Sequence, residues 1–129
     1  GKFLFSPKVK SFYASRSTFS KLWKRQFEAG YWKIYILKKH PDSILFRHAI
    51  PIFFALSFFA FLLISIVMGN ALPIAAFSLF YLTVNIFFSV KKTVPDKKIL
   101  YVPYVSWAYV LIHFGYGLGA ILGLVHTCV

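Results

Sequence analysis

Two stretches of the chain, residues 49–90 and 99–129, contain no Lys, Arg, Asp or Glu. Residues 49–68 are twenty in number, and at about 1.5 Å per helical residue they reach roughly 30 Å, the thickness of a bilayer's hydrocarbon core. Gly69-Asn70 then makes a minimal turn, and residues 71–90 supply a second run of the same length. The pattern predicts a tight transmembrane hairpin. Pro51 and Pro73 fall near the expected starts of its helices, where a missing N–H costs little. A short charged loop follows at 91–98, with Pro95 opposing continuation of the helix. The second uncharged stretch is longer than one span needs. Its opening, Tyr101 to Trp107, is aromatic and interrupted by Pro103, which suits entry through the interfacial aromatic belt. A third span is expected at about 104–126, with a half-inserted segment as the alternative.

Ahead of the hairpin the period is different. Phe19, Leu22, Trp23, Phe27, Tyr31, Ile34 and Leu37 recur every three or four residues and mark one face of a helix at 17–40. Lys21, Lys24, Arg25, Glu28 and Lys39 fall mostly on the other face. Ser17 or Thr18 serves as its N-cap, and His40-Pro41 ends it. A basic helix with Trp and Phe on its apolar side lies flat in a membrane interface. The same face also suits packing on a neighbouring domain. Upstream, residues 2–5 and 9–13 read as two extended pieces separated by Ser6-Pro7. Two strands do not make a stable sheet alone. They point to a partner sheet in preceding sequence, and the opening Gly1-Lys2-Phe3 likewise reads as the start of a fragment.

Composition agrees with lipid as the solvent. Hydrophobic residues make up 59% of the 129 and charged residues 14%, against about 25% charged in a typical soluble domain. The net charge of +12 would ordinarily raise nucleic acid as a partner. Its placement opposes that: eleven of the fifteen Lys and Arg lie at 2–47 and the other four at 91–98. Both blocks flank apolar runs, as the positive-inside rule expects of a cytoplasmic face. The expected location is therefore the inner (plasma) membrane, with the N-terminal part and the 91–98 loop cytoplasmic. Three spans would place the C-terminus outside. The single cysteine, Cys128, excludes an internal disulfide, and no zinc-type Cys/His spacing occurs.

Catalytic chemistry is scarce. Glu28, Asp42 and Asp96 are the only acids, and they give no carboxylate pair, phosphate loop or Ser/His/Asp set. No catalytic or metal-ligating residue is assigned here, and no cofactor is expected on this stretch itself. Anion binding is better supplied: Arg16, Lys21, Lys24, Arg25 and Lys33 crowd a short segment, and Arg grips phosphate oxygens in a bidentate manner. A lipid diphosphate or a leaving nucleotide would suit them, as would general attraction to anionic lipid. Asn85, the one strongly polar residue of the second span, suits a bond to a neighbouring helix. His113, inside an apolar run, is a functional candidate or a hydrogen-bonded helix contact. Gly115, Gly119 and Gly123 are four apart and line one helical face, permitting close helix packing.

One ordered set of motifs covers nearly the whole chain. It runs Tyr13-x-x-Arg16-Ser17, then Leu22-x-x-Arg25-Gln26-Phe27-x-x-Gly30-Tyr31-Trp32-Lys33, Lys39-His40-Pro41, Arg47-His48-x-x-Pro51, and His113-x-x-Tyr116-Gly117-Leu118-Gly119-x-x-x-Gly123. This resembles the C-terminal third of membrane-bound family 2 glycosyltransferases of the bacterial exopolysaccharide, succinoglycan-synthesis type. The resemblance implies a preceding cytoplasmic GT-A-type α/β domain with an Asp-x-Asp motif, a divalent metal (Mg or Mn) and an acidic base. It implies hexosyl transfer from a nucleotide sugar to a polyprenyl-diphosphate-linked acceptor. Residues 1–16 would end that domain, 17–40 would be its interface helix and 41–129 its membrane region. Arg25, Gln26 and Trp32 resemble, in a different order and spacing, the Gln-x-x-Arg-Trp element of processive relatives near the acceptor. With Arg16 and Lys33 they are the candidate acceptor or diphosphate contacts. The alternative from another class is a small three-span membrane protein acting as an assembly or lipid-binding subunit.

Overall fold

Four helices make up the computed structural model, which describes residues 18–41, 46–95 and 97–128. They are α1 (Phe19–Lys39), α2 (Phe46–Val67), α3 (Leu72–Thr93) and α4 (Val102–Cys128), with a 3-10 turn at Ile99–Tyr101 leading into α4. The described residues contain no strand. The extended pieces expected at 2–5 and 9–13, together with Arg16, Asp42 and Asp96, lie outside the described residues.

The helix ends follow from local chemistry. Thr18 is the N-cap of α1, its hydroxyl accepting from the Lys21 N–H at 3.4 Å, which satisfies one of the orphan donors of a first turn. His40 closes the other end, its N–H donating to the Ile36 carbonyl at 2.8 Å. α2 begins three residues earlier than the sequence pattern suggested. Pro51 therefore lies inside the helix rather than at its first turn, and the Arg47 carbonyl loses the N–H it would otherwise accept from.

The α2–α3 turn is closed by Gly69 in the left-handed region (φ 60). Asn70 N–H donates to the Ser65 carbonyl at 3.0 Å and Gly69 N–H to Ile66 at 3.1 Å, the two bonds of a Schellman ending. Asn70 Oδ1 and Ser65 Oγ then accept from the N–H groups of Leu72 and Ile74, at 2.9 and 3.0 Å. One turn thus satisfies the carbonyls of α2 and the donors of α3, as hydrocarbon requires. The same bonds recur after α3, where Lys98 and Lys97 N–H donate to Thr93 and Val94. Here the left-handed residue is Lys97 (φ 52).

Three helical stretches are long and apolar enough to cross a membrane: His48–Val67 in α2, Leu72–Thr93, which is α3, and Ile99–Thr127, which joins the 3-10 turn to α4. α2 and α3 form an antiparallel hairpin zipped by aromatic rings. Phe54 meets Tyr81 with centroids 4.3 Å apart and Phe61 meets Phe77 at 5.1 Å. Extending that ladder by one turn sets Asn85 level with Ile50.

α4 does not continue the ladder as a third antiparallel stave. Ser106, through its carbonyl, binds Asn85 Nδ2 at 3.2 Å. Gly117, eleven residues on, lies against the Pro51 carbonyl and Ala55 Cβ, each 2.5 Å from where a Cβ would stand. That segment covers about 16 Å along α4 but advances only about 7 Å along the hairpin, taking 1.5 Å per residue. α4 crosses the hairpin steeply and extends beyond it.

The far half of α4 carries α1. Trp23 and Gln26 lie at Gly115, Phe27 at Gly119 and Tyr31 at Gly123. The numbering rises together on both helices at a constant offset in the pairs Trp23/Gly115, Phe27/Gly119 and Tyr31/Gly123, so α1 runs parallel to α4. Residues one helical turn apart on each helix meet in register, which is the geometry of interlocking i±4 ridges.

Candidate functional site

Backbone contact makes the α1–α4 seam. A Cβ at Gly119 would collide with the Phe27 carbonyl, and one at Gly30 with the Tyr116 carbonyl. At Gly123 it would stand 2.7 Å from the Tyr31 carbonyl oxygen, and at Gly115 3.3 Å from Gln26 Cβ. Glycine is required at the first three because the opposing atoms are main chain and cannot rotate away. Beyond the glycines, Tyr31 Oη shares a hydrogen bond of 3.0 Å with His126 Nδ1, and Lys38 Nζ donates to the Thr127 carbonyl at 2.9 Å. The ammonium thereby meets the negative end of α4's dipole.

Docking through this seam turns the rest of α1 outward. Lys21, Lys24, Arg25 and Glu28 are exposed over its first half. Over the second half the outward face becomes aromatic, with Trp32 56% and Tyr35 49% exposed, and Lys39 Nζ lies 5.8 Å from the Tyr35 ring centre. Arg25 and Trp32 are seven residues apart and share this face. Gln26 and Lys33, equally spaced, are half-buried along its edge. The structure thus splits the expected acceptor contacts into two pairs two turns long, and Arg16 lies outside the described residues.

A second concentration of polar groups lies between α3 and α4. Asn85 is 5% exposed, and besides the Ser106 carbonyl it reaches Tyr81 Oη at 3.4 Å. Ser89 Oγ donates to the Asn85 carbonyl at 2.8 Å, and Thr93 Oγ1 to that of Ser89 at 2.9 Å. His113 Nδ1 lies 2.8 Å from the Tyr109 carbonyl and 3.1 Å from Tyr81 Oη. Asn85 therefore makes the bond to a neighbouring helix that its sequence setting suggested. A cavity of about 370 Å³ adjoins this cluster, lined among others by Phe54, Tyr81, Asn85, Tyr109 and His113. Among the described residues no group of three or more His, Cys, Asp or Glu is placed to hold a metal.

No protein-family model, curated protein or solved structure matches this chain.

Sequence reasoning named Gly30 and Gly117 only within the motifs and gave neither a packing role; Gly30 is the counterpart of the α4 glycines on the basic helix, and Gly117 faces α2. Gly30 stands seven residues after Trp23 and three after Phe27, in the middle of the apolar stripe. A glycine placed there was the available signal that another backbone comes close. The pairing of Tyr81 with His113 had no local signal, since the two are 32 residues apart.

Proposed function

We propose that this chain is the membrane-anchoring part of a glycosyltransferase that moves sugar from a nucleotide donor to a lipid-linked acceptor, with α1 presenting its cationic face at the cytoplasmic membrane surface. The observation that carries this reading is the glycine seam, which fixes a helix bearing six Lys and Arg onto a helix bearing none. Each Lys or Arg at the centre of a bilayer costs about 2.5–3.5 kcal/mol, so α1 belongs at the surface. The half of α4 locked to it belongs there too. Its steep crossing of the hairpin fits this inclined placement, which leaves two full spans and brings the C-terminus to the side of the 91–98 loop.

At that surface Arg25 supplies a bidentate donor for a diphosphate, and Trp32 an amphipathic ring suited to the headgroup level. The motif Arg25-Gln26-x-x-x-Gly30-x-Trp32 unites both roles, since Gly30 seats the helix whose other face carries the contacts. The catalytic metal and base would come from a preceding domain.

Expression of the complete open reading frame tests the reading. With Mg or Mn, a nucleotide sugar and a polyprenyl-diphosphate-linked acceptor, the protein transfers sugar. Arg25→Ala lowers transfer to the lipid acceptor while leaving nucleotide-sugar hydrolysis intact. A reading frame without an Asp-x-Asp-bearing domain would overturn the proposal in favour of a lipid-binding membrane subunit.

A further inference from the structure

We infer that the far end of the α1–α4 seam is a binding site for the choline headgroup of a phospholipid, a quaternary ammonium with a phosphate beside it. The inference requires the docked seam and stands apart from sugar transfer. A recess of about 270 Å³ lies there, lined by Tyr31, Trp32, Tyr35, Gly123, His126 and Thr127. Tyr31 and Trp32 meet edge to face, with centroids 5.4 Å and planes 89° apart, and Trp32 and Tyr35 do so at 6.0 Å and 84°. Tyr31 is held by its hydrogen bond to His126, whose ring stands at 85° to it. Rings set at right angles form the walls of a shared space instead of one stack. The electron-rich faces of such walls attract cations, and enclosure of a quaternary ammonium is their best-attested use.

The protein's own cations already gather at this recess. Lys39 Nζ lies 5.8 Å from the Tyr35 ring centre, and Lys38 Nζ donates to the Thr127 carbonyl at 2.9 Å. An ammonium is thus held against one wall in the free protein. Lys39 is exposed and on a flexible stem, so it can move aside. A headgroup carrying both signs exchanges with it and leaves no charge alone. Its ammonium takes the Tyr35 face, and its phosphate receives the freed Lys39. A ligand with a cation only would meet repulsion from Lys38 and Lys39, and one with an anion only would gain nothing from the rings.

Hydrogen bonding narrows the cation to a quaternary one. Tyr31 Oη and His126 Nδ1 are engaged with each other, and Thr127 Oγ1 donates to the Gly123 carbonyl at 2.9 Å. No Asp, Glu, Asn or Gln lines the recess. A sugar, which needs several directed partners, is poorly served by these walls. A primary ammonium carries three donors that need acceptors and is strongly hydrated. A quaternary ammonium has no donor to satisfy and offers methyl groups to the rings. With α1 at the membrane surface, phospholipid headgroups are the concentrated source of such a group.

The test titrates the complete protein, in a neutral detergent, with an equimolar mixture of dihexanoylphosphatidylcholine and dihexanoylphosphatidylethanolamine, and native mass spectrometry counts each bound lipid. The two lipids share net charge and phosphate and differ only in the methyl groups on nitrogen, so general attraction to the basic helix cancels. The choline lipid should be bound about fivefold more, the factor that a cation over a half-exposed ring supplies. Trp32→Ala and Tyr35→Ala should each bring the two lipids towards parity, and Tyr35→Phe, which keeps the ring, should preserve the preference. Phe19→Ala removes an exposed ring at the other end of α1 and should leave the preference unchanged. Unchanged thermal unfolding establishes that the variants are folded; should an alanine variant unfold, Trp32→Leu and Tyr35→Leu replace them. Equal binding of the two lipids by the unchanged chain, or a choline preference that survives loss of both Trp32 and Tyr35, would overturn the inference. Neither result bears on sugar transfer, which is measured separately.

Discussion

Replacing Gly119 by alanine adds one methyl group where the seam has no room for it. In an open helix that change is favourable, because alanine gains about 1 kcal/mol of intrinsic helix propensity over glycine. Here the new carbon meets the Phe27 carbonyl, a main-chain group that cannot turn aside. α1 must retreat by on the order of 1 Å, and overpacking of this kind costs about 1–3 kcal/mol. Taking the upper end against rigid backbone and subtracting the propensity gain leaves about 2 kcal/mol, close to a thirtyfold rise in the undocked population. The neighbouring glycines supply internal controls. Gly123→Ala, with 2.7 Å to the Tyr31 carbonyl, should weaken docking less, and Gly115→Ala, with 3.3 Å to the Gln26 side chain, should be tolerated. Trypsin reports the undocked fraction through cleavage after Lys33, which is half-buried in the docked helix, in the regime where cleavage follows the open population. The expected order of rates is Gly119→Ala, then Gly123→Ala, then Gly115→Ala and the unchanged chain together. Equal rates for all four, or Gly115→Ala as the fastest, would refute direct backbone contact along the seam.

Three further substitutions probe other parts of the structure. Asn85→Leu removes the bond to the Ser106 carbonyl and should lower stability in detergent by about 0.6–1.7 kcal/mol, as interhelical hydrogen bonds in membranes do; an unchanged unfolding curve would remove Asn85 from the α3–α4 contact. Tyr116→Phe deletes a buried hydroxyl without a partner and should raise stability by about 1 kcal/mol, because an unsatisfied buried group carries a desolvation cost; a drop in the melting temperature would contradict this. Lys97→Gly relieves a left-handed residue with φ 52 and should stabilise the turn by about 1 kcal/mol, read as an increase in unfolding temperature.

The parts of this fold that were legible in the sequence are those set by local chemistry. Helix α1 lies within one to two residues of its expected limits because Thr18 caps one end and Pro41 disfavours extension at the other. The hairpin turn was legible because Gly69-Asn70 interrupts an uncharged run, and the structure shows why these two residues suffice. The span expected at 49–68 differs by one residue at each end from the apolar stretch His48–Val67, while the helix itself starts earlier, at Phe46, because the edge of an uncharged run does not mark a helix start. The spacing of Gly115, Gly119 and Gly123 announced a close helix contact without naming the partner. Periodicity describes one face of one helix, and the register between α1 and α4 joins segments about 90 residues apart. Two consequences of tertiary packing were therefore hidden. The apolar stripe of α1 faces α4 rather than being free to lie on lipid, and α4 crosses the hairpin rather than extending it. His113 carried a local hint only, whereas its hydroxyl partner Tyr81 and the adjoining cavity arise from that crossing.

The claim on which everything rests is that a basic helix and the far half of α4 are locked together at one surface of a membrane that the α2–α3 hairpin crosses. Single cysteines placed in a Cys128→Ser background, and challenged with an impermeant maleimide on sealed vesicles of known orientation, test it directly. The account predicts that positions 24, 97 and 125 label from one side, position 70 labels from the other, and positions 63 and 79 are protected. Labelling of position 125 from the side of position 70, or of positions 63 and 79 from water, would contradict it.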